Sequence, residues 1–80
     1  MTITVLLFAS YADAFGRPRL DVTAPVGTTV ADLVARVRSE GGADRLPARP
    51  LVAVNHEYAA YDRVLTPDDE VALIPPVAGG

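Results

Sequence analysis

The spacing of apolar residues in this chain changes once from a strand pattern to a helix pattern, and this change restricts the fold more than any other feature. After Thr29, four apolar residues recur at the spacing of one helix face. These four residues are Val30, Leu33, Val34 and Val37. A single helix covers one face of a sheet and leaves the other face open. The sequence therefore predicts an α+β fold, a sheet of four to five strands with one packed helix.

Short runs of alternating and β-branched apolar residues predict the strands of that sheet. The predicted strands are residues 2–9, 20–24, 51–54, 58–60 and 70–74, of which the fourth is the weakest. Residues 11–18 are predicted to be a loop that joins the first two strands as a hairpin. Turns are predicted at residues 55–57 and 66–69. Pro75 and Pro76 end the sheet pairing, because neither has an N–H to donate.

The two ends of the helix carry their own signals. Thr29 is a suitable N-cap, and Asp32 three residues later predicts a capping box with Asp in the usual Glu or Gln place. Gly41 can supply the left-handed residue that stops a helix. Because the helix is too short to persist alone, it must lie on the sheet.

Alternation along the first and last strands divides their residues between two sheet faces. The helix side is predicted to receive Ile3, Val5, Leu7, Val71 and Leu73. The opposite face then presents Leu6, Phe8, Ala72 and Ile74, with no second helix to bury them. An exposed apolar patch of this kind marks a partner site. In the alternative interpretation, Phe8 folds against the loop at residues 11–18 and the patch disappears.

Composition limits the class of protein. The chain has 80 residues, a length typical of one domain, which we place at residues 1–76 with an extended tail at residues 77–80. The net charge is −3 and the seven basic residues are scattered arginines, so neither nucleic acid nor an anionic membrane is an expected partner. There is no cysteine and no visible targeting segment, and we expect a cytoplasmic protein.

No internal group of residues predicts catalysis or metal binding by the chain alone. His56 is the only histidine, and a lone histidine in a turn is usually solvated. The acidic run at residues 68–70 is typical of a turn with solvated charges, and it offers too few converging oxygens for a metal. Phosphate-binding and dinucleotide-binding fingerprints are absent from the sequence. An enzyme that acts alone is therefore not expected.

The last seven residues, 74–80, point to chemistry at the end of the chain. Their prolines favour an extended geometry that directs the tail away from the domain. The four residues beyond Pro76 reach about 13 Å at roughly 3.3 Å each. Gly79 and Gly80 lack a Cβ, so the walls of another protein's active site can approach their backbone closely. The ending therefore suits a thin arm whose terminal carboxylate enters a partner's active site, but a Gly-Gly ending taken alone is also typical of a flexible tail without a function.

Along its whole length the chain resembles the small subunits of molybdopterin synthase, a branch of the sulfur carriers. The resemblance rests on residues 3–9, 29–33, 54–55, 69–72 and 74–80, together with Asp62 and Leu65. The most specific part is the ending Pro-Pro-Val-X-Gly-Gly at residues 75–80. Asp68 departs from the family, which often has Gly there; Asp tolerates left-handed geometry, so the departure concerns the turn and not the function.

The resemblance implies a β-grasp, ubiquitin-like fold with a mixed sheet and no bound cofactor. It also implies a cycle in which the chain is loaded with sulfur and then delivers it. An activating partner would use ATP to adenylate Gly80, and a sulfurtransferase would supply the sulfur that converts it to a thiocarboxylate. The tail would then enter the large subunit of molybdopterin synthase, in a heterotetramer. The residues implied in these contacts are Gly80 and Gly79 at the reacting end, Pro75, Pro76, Val77 and Ala78 along the tail, and Phe8, Leu6 and Ile74 on the open face.

Three other interpretations remain open from the sequence. The chain resembles carriers that serve thiamine or tRNA thiolation, although thiamine carriers tend to be shorter and to lack the two prolines. A ubiquitin-like modifier that conjugates to lysines of target proteins would have a similar tail. A plain binding module would have an inert tail, and deletion of Gly79 and Gly80 would leave such a module active.

Overall fold

The computed structural model describes residues 1–40, 44 and 46–76 of this chain. In these residues five strands form one sheet with two helices. In chain order the elements are β1 (Thr2–Leu7), α1 (Ala9–Phe15), β2 (Arg19–Thr23), α2 (Val30–Arg38), β3 (Leu51–Val54), β4 (Glu57–Tyr58) and β5 (Glu70–Ile74). The strand order is β2-β1-β5-β3-β4, with β1 and β5 parallel and the other neighbours antiparallel. The predicted α+β class and the mixed sheet are confirmed.

The prediction of one packed helix is wrong, because the segment predicted to be a loop forms α1. The helix begins after Phe8 and ends at Gly16, whose φ of 74° supplies the left-handed residue that stops it. Tyr11 is 3% exposed, and Phe15, one turn later, packs against the same core. Helix α1 has only seven residues, so its helical spacing of apolar residues is weaker evidence than the Gly16 and Pro18 turn signals that follow it. The first strand accordingly ends at Leu7 and does not extend to residue 9.

Helix α2 lies on the sheet as predicted. The Thr29 hydroxyl accepts a hydrogen bond from the backbone N–H of Asp32 (3.2 Å), and the Asp32 carboxylate accepts one from the N–H of Thr29 (3.2 Å), which confirms the capping box. All four predicted residues of the apolar face are buried: Val30, Leu33, Val34 and Val37. The predicted stop at Gly41 lies outside the described residues.

The buried side of the central strands is also the predicted one. Ile3, Val5 and Val71 are fully buried, and Leu7 and Leu73 are 3% and 1% exposed. Val5 pairs with Val71 and Leu7 with Leu73, so equivalent side chains of two neighbouring strands face α2. Because β1 and β5 run parallel, their carboxyl ends meet at the same edge of the sheet. The residue after β1 and the residues after β5 are therefore brought together there.

A two-residue turn joins β3 to β4. Asn55 and His56 have φ values of 53° and 71°, the left-handed pair that a tight hairpin with the twist of the sheet requires. The predicted turn is confirmed, and the short strand predicted at residues 58–60 lies one residue earlier, at Glu57–Tyr58. Asn adopts this backbone readily because its short polar side chain can hydrogen-bond locally, whereas the bulkier His56 pays a steric cost there.

Replacing His56 with Gly is expected to raise the free energy of unfolding by about 0.5–1 kcal/mol, because glycine adopts positive φ without steric cost. The exposed contact that His56 makes with Glu70 contributes little to stability, so its loss should not cancel the gain. Urea unfolding followed by circular dichroism measures the change. Asn55→Ala, which keeps the Cβ but removes the side-chain amide at the other turn position, should destabilise. A destabilised His56→Gly protein would contradict the assigned turn.

Candidate functional site

The sheet face opposite α2 is open, as the sequence predicted. Leu6, Ala72 and Ile74 are only partly buried, and Phe8 is 47% exposed. The alternative in which Phe8 folds against the following segment is therefore wrong. The physical reason is the direction of α1: its Tyr11 joins the same buried cluster as the residues of α2, so this helix adds to the covered side.

These residues line a shallow groove of about 380 Å³ on the open face. Its lining comes from β1, β3, β4, β5 and the turn between β3 and β4: Leu6, Phe8, Ala53, His56, Tyr58, Glu70, Ala72 and Ile74. Tyr58 is 74% exposed, and the Nε2 atom of His56 lies 3.6 Å from Oε1 of Glu70 at the polar rim. The groove thus combines an apolar floor with a small polar rim, the usual anatomy of a protein interface.

The sequence analysis missed four residues of this groove, Ala53, His56, Tyr58 and Glu70. Ala53 was recoverable, because Val52 and Val54 alternate toward the core and leave Ala53 on the other face. The remaining three depend on the tight turn, which folds β4 back beside β3 and extends the open face. The turn residues were visible in sequence; the exact length of the turn was not.

A hydrogen-bond network holds this hairpin against the start of β5. The Asn55 side chain donates to the Asp69 carboxylate (2.8 Å) and accepts from the backbone N–H of Glu70 (2.9 Å). The same carboxylate accepts from the backbone N–H of Thr66 (2.8 Å). The bond from the Thr66 backbone, followed by that from Asn55, lowers the pKa of Asp69. Asp69 therefore links the turn at residues 66–69 to the groove rim through its charged form.

This lowered pKa predicts an acid-sensitive contribution to stability. A carboxylate whose pKa is lower in the folded state stabilises the fold above its unfolded pKa of about 4, and the contribution is lost as the pH falls through the folded value. Asp69→Asn should therefore cost about 0.5–1 kcal/mol at neutral pH, since the site is partly exposed and screened. Below the folded pKa the two proteins should converge.

Urea unfolding of the two proteins at neutral and strongly acidic pH tests this point. Asp68→Asn is the matched control, because Asp68 is an exposed neighbour and its carboxylate makes no hydrogen bond among the residues that the structure describes. A difference between wild type and Asp69→Asn that is the same at both pH values would refute the role given to the Asp69 charge.

The predicted tail begins beside the groove. Pro75 is partly buried and Pro76 is exposed, directly after β5, at the sheet edge where Phe8 follows β1. The predicted residues Val77, Ala78, Gly79 and Gly80 lie outside the described residues. A second cavity, of about 220 Å³, adjoins Pro76 and shares Ile74 with the groove. The structure thus places Leu6, Phe8, Ile74, Pro75 and Pro76 at one edge of the open face.

Two further searches covered only the described part of the chain. No cluster of three or more His, Cys, Asp or Glu side chains there has the arrangement of a metal site. None of the helices described is long and apolar enough to cross a membrane. What the described geometry offers chemically is a docking surface beside Pro75 and Pro76, where the chain leaves β5.

The sheet order, the helix on one face and the open opposite face define a β-grasp protein of the ubiquitin-like class. The SAMP1 protein of Haloferax volcanii has this fold, with a TM-score of 0.85, 29% identity and complete coverage of both chains. A chain from the complex of subunits 1 and 2 of the molybdopterin-converting factor of Helicobacter pylori shares the fold, with a TM-score of 0.74, 21% identity and complete coverage of both chains.

Sequence comparison identifies the family within this class. Residues 5–80 match the ThiS family, and the chain belongs to it. Its relatives include the molybdopterin synthase sulfur carrier subunit of Escherichia coli, which is 35% identical over 98% of this chain and 99% of the relative. The corresponding subunit of Arabidopsis thaliana is 33% identical over 98% of this chain and 82% of the relative. The resemblance to sulfur carriers stated from the sequence is thereby confirmed.

Proposed function

We propose that this chain is a sulfur carrier for molybdopterin synthesis and that the carboxylate of Gly80 carries the sulfur. The observation that carries the proposal is the position of the tail: it leaves the central strand β5 at the sheet edge where Phe8 and Ile74 line the open groove. One partner can therefore hold the groove and receive the tail together. The likeness to sulfur carrier subunits over 98% of the chain supports the same function.

The chemistry proceeds in two transfers. In the first, a Gly80 carboxylate oxygen attacks the α-phosphorus of ATP on an activating partner, and pyrophosphate leaves. Activation must come first, because a carboxylate oxygen is a poor leaving group until it is joined to phosphate. In the second, a sulfur nucleophile attacks the acyl carbon and AMP leaves with the oxygen. Inorganic sulfide gives the thiocarboxylate directly, whereas a persulfide from a sulfurtransferase also needs a thiol to reduce the remaining S–S bond.

This chain has no side chain that can replace Gly80 in that chemistry. It contains no cysteine to hold a persulfide and no lysine to form an amide with the activated carboxylate. The sequence itself thus leaves the terminal carboxylate as the group for sulfur transfer. Its role here is to present that group, and the catalytic groups belong to the partners.

The receiving partner in this proposal is the large subunit of molybdopterin synthase, in a heterotetramer. The apolar groove floor and polar rim fit a protein surface better than a small polar ligand. The Helicobacter pylori neighbour with the same fold comes from a complex of two subunits, which supports a partner of this kind. The large subunit would use the delivered sulfur to build the dithiolene of molybdopterin.

Intact mass measurement tests the carrier chemistry. The chain is incubated with ATP, inorganic sulfide and the adenylating enzyme of the same organism, and omission of ATP is the control. We expect the mass to rise by the difference between one sulfur atom and one oxygen atom, only when ATP is present, with the change mapped to the C-terminal peptide. An unchanged mass under all conditions would overturn the proposed chemistry.

Two related functions use the same fold. The likeness to SAMP1 favours a ubiquitin-like modifier as the second candidate. Immunoblotting of cell lysate against this chain separates the two, since a modifier forms covalent bands heavier than the free chain. A carrier for thiamine or tRNA thiolation is distinguished by the product that its absence removes: molybdopterin, thiamine or thiolated tRNA.

A further inference from the structure

The second cavity of the open side lies at the root of the tail and has its own chemistry. It encloses about 220 Å³, and its lining comes from three parts of the chain: Tyr11 of α1, then Pro47, Pro50 and Leu51, and finally Ile74 and Pro76. Arg49 also lines this cavity and is its charged residue. We call it the tail-root notch. Ile74 lines both the notch and the larger groove, so the two form one continuous surface.

Arg49 is held in place by an aromatic ring. Its guanidinium carbon lies 4.4 Å from the ring centroid of Tyr61, a cation–π geometry, and the Tyr61 hydroxyl donates to the backbone carbonyl of Pro50. No carboxylate among the described residues lies within ion-pair distance of the Arg49 guanidinium. A cation fixed by an aromatic ring and exposed at a cavity mouth is suited to pair with an external carboxylate.

The short reach of the tail brings a receiving partner close to this notch. Gly80 lies four residues beyond Pro76, so its backbone extends no further than about 13 Å from the notch wall. Any protein that encloses Gly80 in an active site must therefore bring its own surface close to Pro76. Leu51, which is 53% exposed, and the adjoining prolines would be buried under that surface.

We propose that the tail-root notch binds a segment of the sulfur-receiving subunit, one apolar side chain on the notch floor with a neighbouring carboxylate paired to Arg49. The inference rests on the proposed function, because it takes that subunit as the occupant. Arg49 acts as a specificity residue: it favours receiving surfaces with an acidic group at the tail entrance and disfavours basic ones.

Charge reversal at Arg49 tests the pairing. Arg49→Glu should weaken binding of the large subunit about tenfold at low salt, as expected when a charge pair becomes a repulsion, and the loss should shrink at high salt. Arg36→Glu is the matched control: it makes the same change of charge on α2, which packs on the covered side of the sheet. Isothermal titration calorimetry measures both affinities.

Further variants separate a binding role from a structural one. Arg49→Gln removes the charge and should lower affinity several-fold while the unfolding midpoint falls only slightly, because an exposed cation–π contact stabilises a fold weakly. Replacing the partner's acidic residue with Lys should restore binding to Arg49→Glu. Equal affinities of Arg49→Glu and Arg36→Glu, together with normal wild-type binding and sulfur loading, would overturn the notch proposal alone. Wild-type chain that neither gains sulfur nor binds the large subunit would instead overturn the proposed function.

Discussion

Deletion of Gly80 is expected to reduce sulfur transfer by more than 100-fold while the stability of the domain stays the same. Shortening the tail by one residue withdraws the carboxylate by roughly 3.3 Å. A misplacement of only about 1 Å costs about 100-fold in an oriented reaction, because the reacting atoms leave the attack geometry. The deletion leaves a glycine carboxylate at Gly79, so it tests the position of the acid rather than its presence.

The design includes a chain with one extra glycine after Gly80 as the matched control. It keeps the same terminal chemistry and moves the carboxylate by a similar distance in the opposite direction, so it should be equally inactive unless a protease trims it. Thiocarboxylate formation is followed by intact mass, and folding by thermal unfolding. Stability should not change, because Pro75 and Pro76 lack the N–H that strand pairing needs. Wild-type rates in either altered chain would refute delivery by a tail of fixed reach.

The parts of the fold that sequence predicted well are those in which one periodic signal extends over several turns or strand pairs. Helix α2 was located by its apolar spacing and its capping box, and β5 by alternation followed by prolines. Helix α1 was missed because seven residues with Gly and Pro after them resemble a loop. Its formation depends on burial of Tyr11 in the common core, a long-range contact that no local window contains.

The residues of the candidate site also fall into those that the sequence predicted and those that it missed. Leu6, Phe8, Ala72 and Ile74 were predicted because the strand period fixes which side chains share a face. Arg49 was not singled out, because its position depends on the Tyr61 ring, twelve residues later in the chain and brought alongside by the tertiary fold. Contacts of this kind have no local sequence period, so they become visible only when the sheet is assembled.

Replacing Phe8 with Asp is expected to weaken binding of the large subunit about 30-fold or more, which corresponds to the loss of one aromatic anchor at an interface. Phe8 is 47% exposed in the free chain, so the substitution does not create a cavity in the core. It also places Asp at the N-cap of α1, where Phe8 has extended backbone geometry and its side chain makes no capping hydrogen bond. Since Asp is among the preferred N-cap residues, stability should stay the same or rise by up to about 1 kcal/mol.

Affinity is expected to fall while stability stays the same or rises, so Phe8→Asp tests the open face separately from folding. Val26→Asp is the matched control, because it also replaces an exposed apolar residue (85% exposed) with Asp but lies outside the groove. Calorimetric titration with the large subunit and urea unfolding are carried out on both variants. Affinities of the two variants that agree within experimental error would mean that the partner docks elsewhere. A loss of affinity confined to Phe8→Asp, in a protein at least as stable as wild type, can come only from the groove itself, because the fold beneath it is unchanged.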